Sequence, residues 1–299
     1  MLNTPPAPPI NRSWRHKLIT LLKLGQRHGW VCCSTLLLIL TASLLHAQSP
    51  PVKNHLELNT VSSWPYRITR RTPHDTKHFT QGLIVGTDSV IESSGLYGQS
   101  FVTKYSRESG KQEARFTLPA KLFAEGIALY EQQLYLLTWK SGKGFVLDSN
   151  SLQPLGEFHV EGQGWGLTRV DQQLLMSNGS AELTWHRPSD FKQLNKTLVR
   201  AGQQPIDNLN ALTYGGGYLW ANVWRQAIIL AISPITGQVK GQLNLEELSA
   251  EQTQGNKENV LNGLSWDEDE QALWITGKRW SQRYLLKINI PEKAEENTK

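Results

Sequence analysis

Five short stretches constrain this chain more than any other feature. Gln81-Gly82-Leu83, Glu125-Gly126-Ile127, Trp165-Gly166-Leu167, Asn210-Ala211-Leu212 and Asn262-Gly263-Leu264 share one pattern. A polar or aromatic residue is followed by Gly or Ala, and then by an aliphatic residue. The small residues lie 44, 40, 45 and 52 positions apart, and each opens a run that reads as a strand. A period of about 40–50 residues made of short strands is the signature of a β-propeller with four strands per blade. The sequence therefore predicts an all-β fold, a five-bladed β-propeller over residues 57–290.

The ends of the repeat array predict how the ring closes. The fifth repeat holds three strand-like runs, within 262–266, 272–276 and 284–288, and then stops. A spare run, 66–70, precedes the first repeat. An N-terminal strand that completes the last blade would close the ring and remove its open edges. A polar stretch over 245–252 reads as a helical insertion before the fifth triplet and accounts for the long last spacing.

The formal charge of +5 suggests nucleic acid or membrane until it is located. Residues 1–47 hold Arg12, Arg15, Lys17, Lys23 and Arg27 and no acid, so the remainder carries 31 − 5 = 26 basic residues against 26 acidic ones. The neutral remainder has no electrostatic footprint for nucleic acid. A basic stretch, an apolar run from Val31 to Leu45, and Ala47 as a small residue for cleavage predict a signal peptide, or a membrane anchor if uncleaved. Export to the periplasm or outside the cell is the expectation. Residues 48–56 read as a linker and 291–299 as a polar tail. Both cysteines, Cys32 and Cys33, fall in the apolar run. The predicted propeller thus has no thiol for catalysis, disulfides or zinc.

Propeller chemistry collects at one end of the central channel, where the first residue of each triplet and the end of each second strand converge. The triplets supply Gln81, Glu125, Trp165, Asn210 and Asn262; Glu125 is the one acid among them. The strand ends supply Glu92 to Gly95, Trp139 and Lys140, Ser177 and Asn178, Asn222 and Trp224, and Thr276 and Lys278. No histidine occupies a repeat-equivalent position, and a metal centre needs several carboxylates or imidazoles. The set fits a metal-free site in which one carboxylate shuttles a proton inside an aromatic pocket.

Several motifs in order extend this reading. They are Phe79-Thr80-Gln81-Gly82-Leu83, Glu92-Ser93-Ser94-Gly95-Leu96-Tyr97-Gly98, Glu125-Gly126, Gly164-Trp165-Gly166-Leu167, Leu209-Asn210, Trp220-Ala221-Asn222-Val223-Trp224, Val260-Leu261-Asn262-Gly263 and Thr276-Gly277-Lys278. Over residues 65–290 the chain resembles the glutaminyl cyclases of the plant and bacterial, papaya-like type, a family of five-bladed propellers. The resemblance implies cyclisation of an N-terminal glutaminyl residue of a peptide or protein to pyroglutamate, with release of ammonia and no cofactor or metal. It implies Glu125 as the proton-shuttling residue and Lys278 as the oxyanion stabiliser. It implies Phe79, Phe123, Trp139, Trp165 and Trp224 as pocket aromatics, and Gln81 and Asn210 as orienting amides.

Partners would be peptides with N-terminal Gln, with no nucleic acid, membrane contact only through an uncleaved N-terminal segment, and a monomeric state. Two departures from the family pattern stand out: Ala211, where Glu is usual, and Ala227, where a polar or acidic residue is usual. The competing readings are a non-catalytic binding propeller and a metal-dependent propeller hydrolase.

Overall fold

The computed structural model describes Leu58 and residues 60–291 except 254. The expected signal segment, the linker and nearly all of the C-terminal tail lie outside the described residues. Four blades are four-stranded antiparallel sheets in simple sequence order. Blade 1 comprises β2 (Thr80–Val85), β3 (Ser89–Ser94), β4 (Phe101–Ser106) and β5 (Gln112–Thr117). Blade 2 comprises β6 (Ala124–Tyr130), β7 (Gln133–Thr138), β8 (Lys143–Asp148) and β9 (Pro154–His159). Blade 3 comprises β10 (Leu167–Val170), β11 (Gln173–Met176), β12 (Glu182–His186) and β13 (Gln193–Leu198). After a small hairpin, β14 (Arg200–Ala201) and β15 (Gln204–Pro205), blade 4 comprises β16 (Leu209–Gly215), β17 (Tyr218–Val223), β18 (Ile228–Ile232) and β19 (Val239–Asn244).

Blade 5 closes the ring as the sequence predicts. Its order is β20 (Leu261–Asp267), β21 (Ala272–Gly277), β22 (Gln282–Ile288) and then β1 (Tyr66–Pro73), which pairs antiparallel with β22. The closing strand is longer than the 66–70 expected. The residues before it also bind: Trp64 N donates to Gln242 O at 2.8 Å, and Ser63 bridges Gln242 on β19. The N-terminal segment thus fastens blade 4 as well as blade 5, with the Trp64 indole buried against Tyr218 and Trp220. Helix α1 (Glu246–Thr253) lies one residue further on than expected. Asn244 Oδ1 accepts from Glu246 N at 2.9 Å and satisfies one of its orphan donors.

The inner strands are buried along nearly their whole length, as in β17 and β20, whereas outer strands such as β5 and β13 are mostly exposed or half-buried. Apolar residues of adjacent blades fill the space between sheets, for instance Trp220 stacked on Trp266 with centroids 5.9 Å apart. Among the described residues no helix is long and apolar enough to cross a membrane.

The triplets mark a register irregularity. In blade 2 Ala124 pairs with Thr138 and Ile127 with Leu136, so Glu125 and Gly126 oppose the single residue Leu137. Asn210-Ala211 oppose Asn222, and Asn262-Gly263 oppose Thr276, in the same way. In blade 1 the extra residue is Gln81. Such bulges re-aim side chains. In blade 3 the first strand begins at Leu167, after the triplet's Gly166, rather than at the expected Trp165. A Cβ on Gly166 would stand 2.0 Å from Asn210 O, so blade 4 approaches too closely there for regular pairing with a larger residue.

A hydrogen bond crosses every blade boundary at this level. Ser93 Oγ donates to Glu125 O at 2.6 Å, Gly126 N to Trp165 O at 2.6 Å, and Ser177 Oγ to Asn210 O at 2.7 Å. Asn222 Nδ2 donates to Leu261 O at 2.9 Å, and Asn262 Nδ2 to Thr80 O at 3.0 Å. The bulged backbone is therefore satisfied by the neighbouring blade, as buried polar groups must be.

Candidate active site

The bulges and second-strand ends surround one cavity of about 280 Å³ at the end of the channel. Its lining contains every residue that the family resemblance implies: Phe79, Gln81, Phe123, Glu125, Trp139, Trp165, Asn210, Trp224 and Lys278. Of the converging positions, Asn262, Lys140, Ser177, Asn178, Asn222 and Thr276 do not line it. Leu96 and Glu258 line it too and were not anticipated. Leu96 follows the Glu92–Gly95 strand end and holds φ at 91°, a strained position for a branched side chain. Glu258 comes from the segment after α1, which has no counterpart in the other repeats, so no spacing argument reaches it. Among the expected strand-end positions, Glu92 faces elsewhere, as described below.

The aromatic wall is held edge to face. Trp165 and Trp224 have centroids 5.6 Å apart at 78°, and Phe79 and Phe123 lie 6.3 Å apart at 87°. Trp139 rests against Phe123 at 5.7 Å. Gln163 Oε1 accepts from Trp139 Nε1 at 2.9 Å and from Trp165 Nε1 at 3.4 Å. One amide thereby orients two indoles from different blades. The signal for it was its place just before Gly164-Trp165, which the motif alone did not single out.

Glu125 and Lys278 enter from blades 2 and 5. Both are buried, at 5% and 6% exposure. Among the described residues the Glu125 carboxyl and the Lys278 amine have no protein hydrogen-bond partner. Burial pushes the Glu125 carboxyl well above the usual carboxylate range, and the Lys278 charge offsets this only in part. Burial likewise lowers Lys278, against the opposing pull of Glu125 and Glu258. The ammonium sits 4.7 Å from the Phe79 ring centroid.

The two amides differ in their freedom. Gln81 Oε1 accepts from Asn262 Nδ2 at 2.7 Å, which turns the Gln81 amide nitrogen into a free donor. Asn210 Oδ1 is buried with no partner in the protein, an acceptor left for a ligand. The site thus offers one proton acceptor of raised pKa, one cation, one donor and one acceptor within an apolar wall. Glu258 adds a second carboxylate, but it is exposed and paired with Arg225 at 3.2 Å.

Among the described residues a single group of His, Cys, Asp and Glu could hold a metal, and it lies off the cavity: His74, His78 and Glu92. His74 Nδ1 faces Trp280 O at 2.6 Å and Nε2 faces Glu92 Oε1 at 2.9 Å, so both ring nitrogens meet acceptors. This arrangement favours the imidazolium and raises the His74 pKa against the opposing effect of burial. Glu92 also accepts from Thr80 Oγ1 at 2.6 Å, His78 Nδ1 at 3.0 Å and the Tyr105 hydroxyl at 3.1 Å. Burial opposes ionisation of Glu92, but the His74 charge and the hydrogen bonds of both histidines hold its carboxyl well below the usual range. Arg283 bonds Tyr105 beside it, a cation that disfavours a second one. The cluster ties the exit of β1 to blade 1.

A model of the glutamine cyclotransferase family matches residues 36–288. The chain belongs to the glutamine cyclotransferase family. It is 36% identical over 225 residues to a glutaminyl-peptide cyclotransferase of Arabidopsis thaliana, covering 74% of this chain and 70% of the relative. The solved glutaminyl cyclase of Myxococcus xanthus superposes with a TM-score of 0.71 at 31% identity, over 78% of this chain and 100% of that one. Family membership accounts for the five-bladed ring and for the shared motif order. Of the two departures from the family pattern, Ala211 fills the small-residue slot of blade 4 at 3% exposure. Ala227 lies outside the cavity, packed against the core beside it.

Proposed function

We propose that the chain is a glutaminyl-peptide cyclotransferase that converts the N-terminal glutaminyl residue of peptides or proteins to a pyroglutamyl residue and ammonia. The observation that carries this reading is the pairing of a buried, unpartnered Glu125 with a buried Lys278 inside an aromatic cavity. In this reading the terminal residue folds back so that its α-amine meets its own side-chain carboxamide carbon, and the walls hold that near-attack geometry. Glu125, with its raised pKa, takes the proton that the amine loses as the C–N bond forms. It then returns that proton to the departing nitrogen as the original C–N bond breaks, and ammonia leaves. Lys278 and the Gln81 amide donate to the oxygen while it carries negative charge. Asn210 Oδ1 accepts from the amine and aims it.

Every atom of the products comes from the substrate, so the reaction consumes no co-substrate. The basic, then apolar N-terminal sequence supports export of the enzyme. The reading is tested by incubating the purified chain with a Gln-initiated dipeptide and measuring ammonia together with the mass of the product. Stoichiometric ammonia and a pyroglutamyl product are expected. Peptide binding without either would leave a binding propeller.

A further inference from the structure

The cavity that encloses Glu125 has a volume of about 280 Å³, at the lower edge of the roughly 300–1,000 Å³ typical of ligand pockets. It accommodates one terminal residue. The rest of a peptide has to leave through the mouth, and what borders the mouth decides its course. A second, larger cavity of about 530 Å³ lies beside it, and Glu258 lines both. The groove runs between the turn after β17, which carries Arg225 and Gln226, and the face of α1 that carries Ser249 and Thr253.

Glu258, which the two cavities share, is paired with Arg225 of the groove, with side chains 56% and 58% exposed. Exposed pairs of this kind contribute little and open readily. Arg225 holds φ at 62° and lays its guanidinium over Trp224, 4.5 Å from the ring centroid, so the lip rests on the wall of the site itself. Gln226 lines the groove, and its Oε1 is buried with no partner in the protein. It is an acceptor of the kind that a peptide N–H satisfies. The charges lining the groove are Arg225 and Lys257 against Glu258, two cations to one anion. This groove exists because α1 and the segment after it are inserted before the fifth blade. The other blades place no helix at the mouth.

We propose that this groove is the subsite for the residues that follow the N-terminal glutamine, binding an extended peptide and favouring an acidic over a basic side chain at the third position. The inference rests on the cyclotransferase reading and names the part of the substrate that reading leaves unplaced. Selectivity then comes from a surface remote from the reacting atoms. It acts on KM more than on kcat, because the contact is the same in the ground and transition states.

The test uses the purified chain and ammonia release from four amidated peptides: Gln-Ala, Gln-Ala-Ala-Ala, Gln-Ala-Glu-Ala and Gln-Ala-Lys-Ala. The wild type is expected to show a KM about three- to tenfold lower for the Glu tetrapeptide than for the dipeptide, and lower than for the Lys tetrapeptide. Ser249→Trp, which fills the groove from α1, should erase the advantage of length while leaving the dipeptide's kcat/KM within about twofold. Lys257→Glu should reverse the preference between Glu and Lys. Equal KM values for dipeptide and tetrapeptides in the wild type, or an equal loss on all four in Ser249→Trp, would overturn the subsite and leave the cyclotransferase reading standing. A wild type that releases ammonia from none of them would sink that reading and the groove's occupant with it.

Discussion

Asn262 of the last blade donates to Gln81 Oε1 of the first at 2.7 Å, across the seam where the ring closes. The same amide nitrogen also donates to Thr80 O at 3.0 Å. Closure of the fold and orientation of a site residue are therefore one interaction. Without it the Gln81 amide is free to turn and present its oxygen to the cavity.

Asn262→Ala should accordingly lower kcat by about tenfold, equivalent to about 1.4 kcal/mol in the barrier. It should also lower stability by about 1–3 kcal/mol through the unsatisfied Thr80 carbonyl. Urea unfolding and steady-state rates on a Gln-dipeptide measure the two effects separately. A variant that lost stability but kept full kcat would show that Gln81 needs no fixed orientation.

Glu125→Gln should reduce turnover by about 10²–10⁴, the usual contribution of general acid–base catalysis. Its effect on stability runs the other way. Burial raises the folded-state pKa of Glu125 above its unfolded value, so the folded state holds its proton more tightly. The resulting stability is present below the unfolded pKa and is lost as pH rises through the folded one. At neutral pH and above, the neutral Gln removes that penalty. The variant should melt higher than wild type at pH 8 and close to it at pH 4, as read by calorimetry at both values.

Lys278→Met should lower kcat by about 10²–10³, as expected for removal of an oxyanion donor, while Lys278→Arg keeps a cation in too small a space and recovers only part. The pKa of Lys278 is lowered by burial, so wild-type activity should fall on the alkaline side earlier than an ordinary lysine would allow. A pH–rate profile of kcat/KM that kept its alkaline limb unchanged in Lys278→Met would remove the lysine from the reaction.

Gln163→Ala should act by misplacing Trp139 and Trp165, since one acceptor holds both indoles. A rise in KM of about three- to tenfold with a smaller change in kcat is expected, because the walls bind substrate and transition state alike. Gln163→Glu keeps the acceptor oxygen and should rescue most of the effect. Equal losses in both variants would point to a general loosening of the loop.

Glu92→Gln tests the off-site cluster. It leaves the His74 imidazolium buried beside a neutral amide, and breaking such a pair costs about 3–5 kcal/mol. In the wild type the low folded-state pKa of Glu92 gives stability that is present above its unfolded pKa and lost as pH falls through the folded one. The raised pKa of His74 gives stability present below the unfolded imidazole pKa and lost above the folded one. The variant's deficit in melting temperature should be largest between the two unfolded values, at mildly acid pH. A deficit independent of pH would rule out the charged pair.

How much of this was legible in the chain depends on the range of the signal. The five triplets, the missing fourth strand of the last repeat and the spare N-terminal strand determined the ring. Each is a local pattern whose period is set by backbone geometry: side chains alternate along strands, and blades recur at a fixed length. The arrival of Glu125 at the cavity was also legible, because repeat-equivalent positions must converge on one axis. Glu258, Gln163 and Leu96 were not legible, because they reach the cavity through loops and an insertion that no period governs.

Even within the triplets the sequence determined only which residues are equivalent, and the tertiary structure decided what each one does. The bulge turns Gln81, Glu125 and Asn210 inward, but Asn262, their equivalent, is spent on the seam with blade 1. Glu92 and Glu125 are both buried glutamates on inner strands. Packing sets one among donors that keep it ionised and the other against indoles and phenyl rings, where burial raises its pKa. The physical reason is that a side chain's charge state and freedom depend on the groups that surround it in space, and those groups come from blades far apart in the chain.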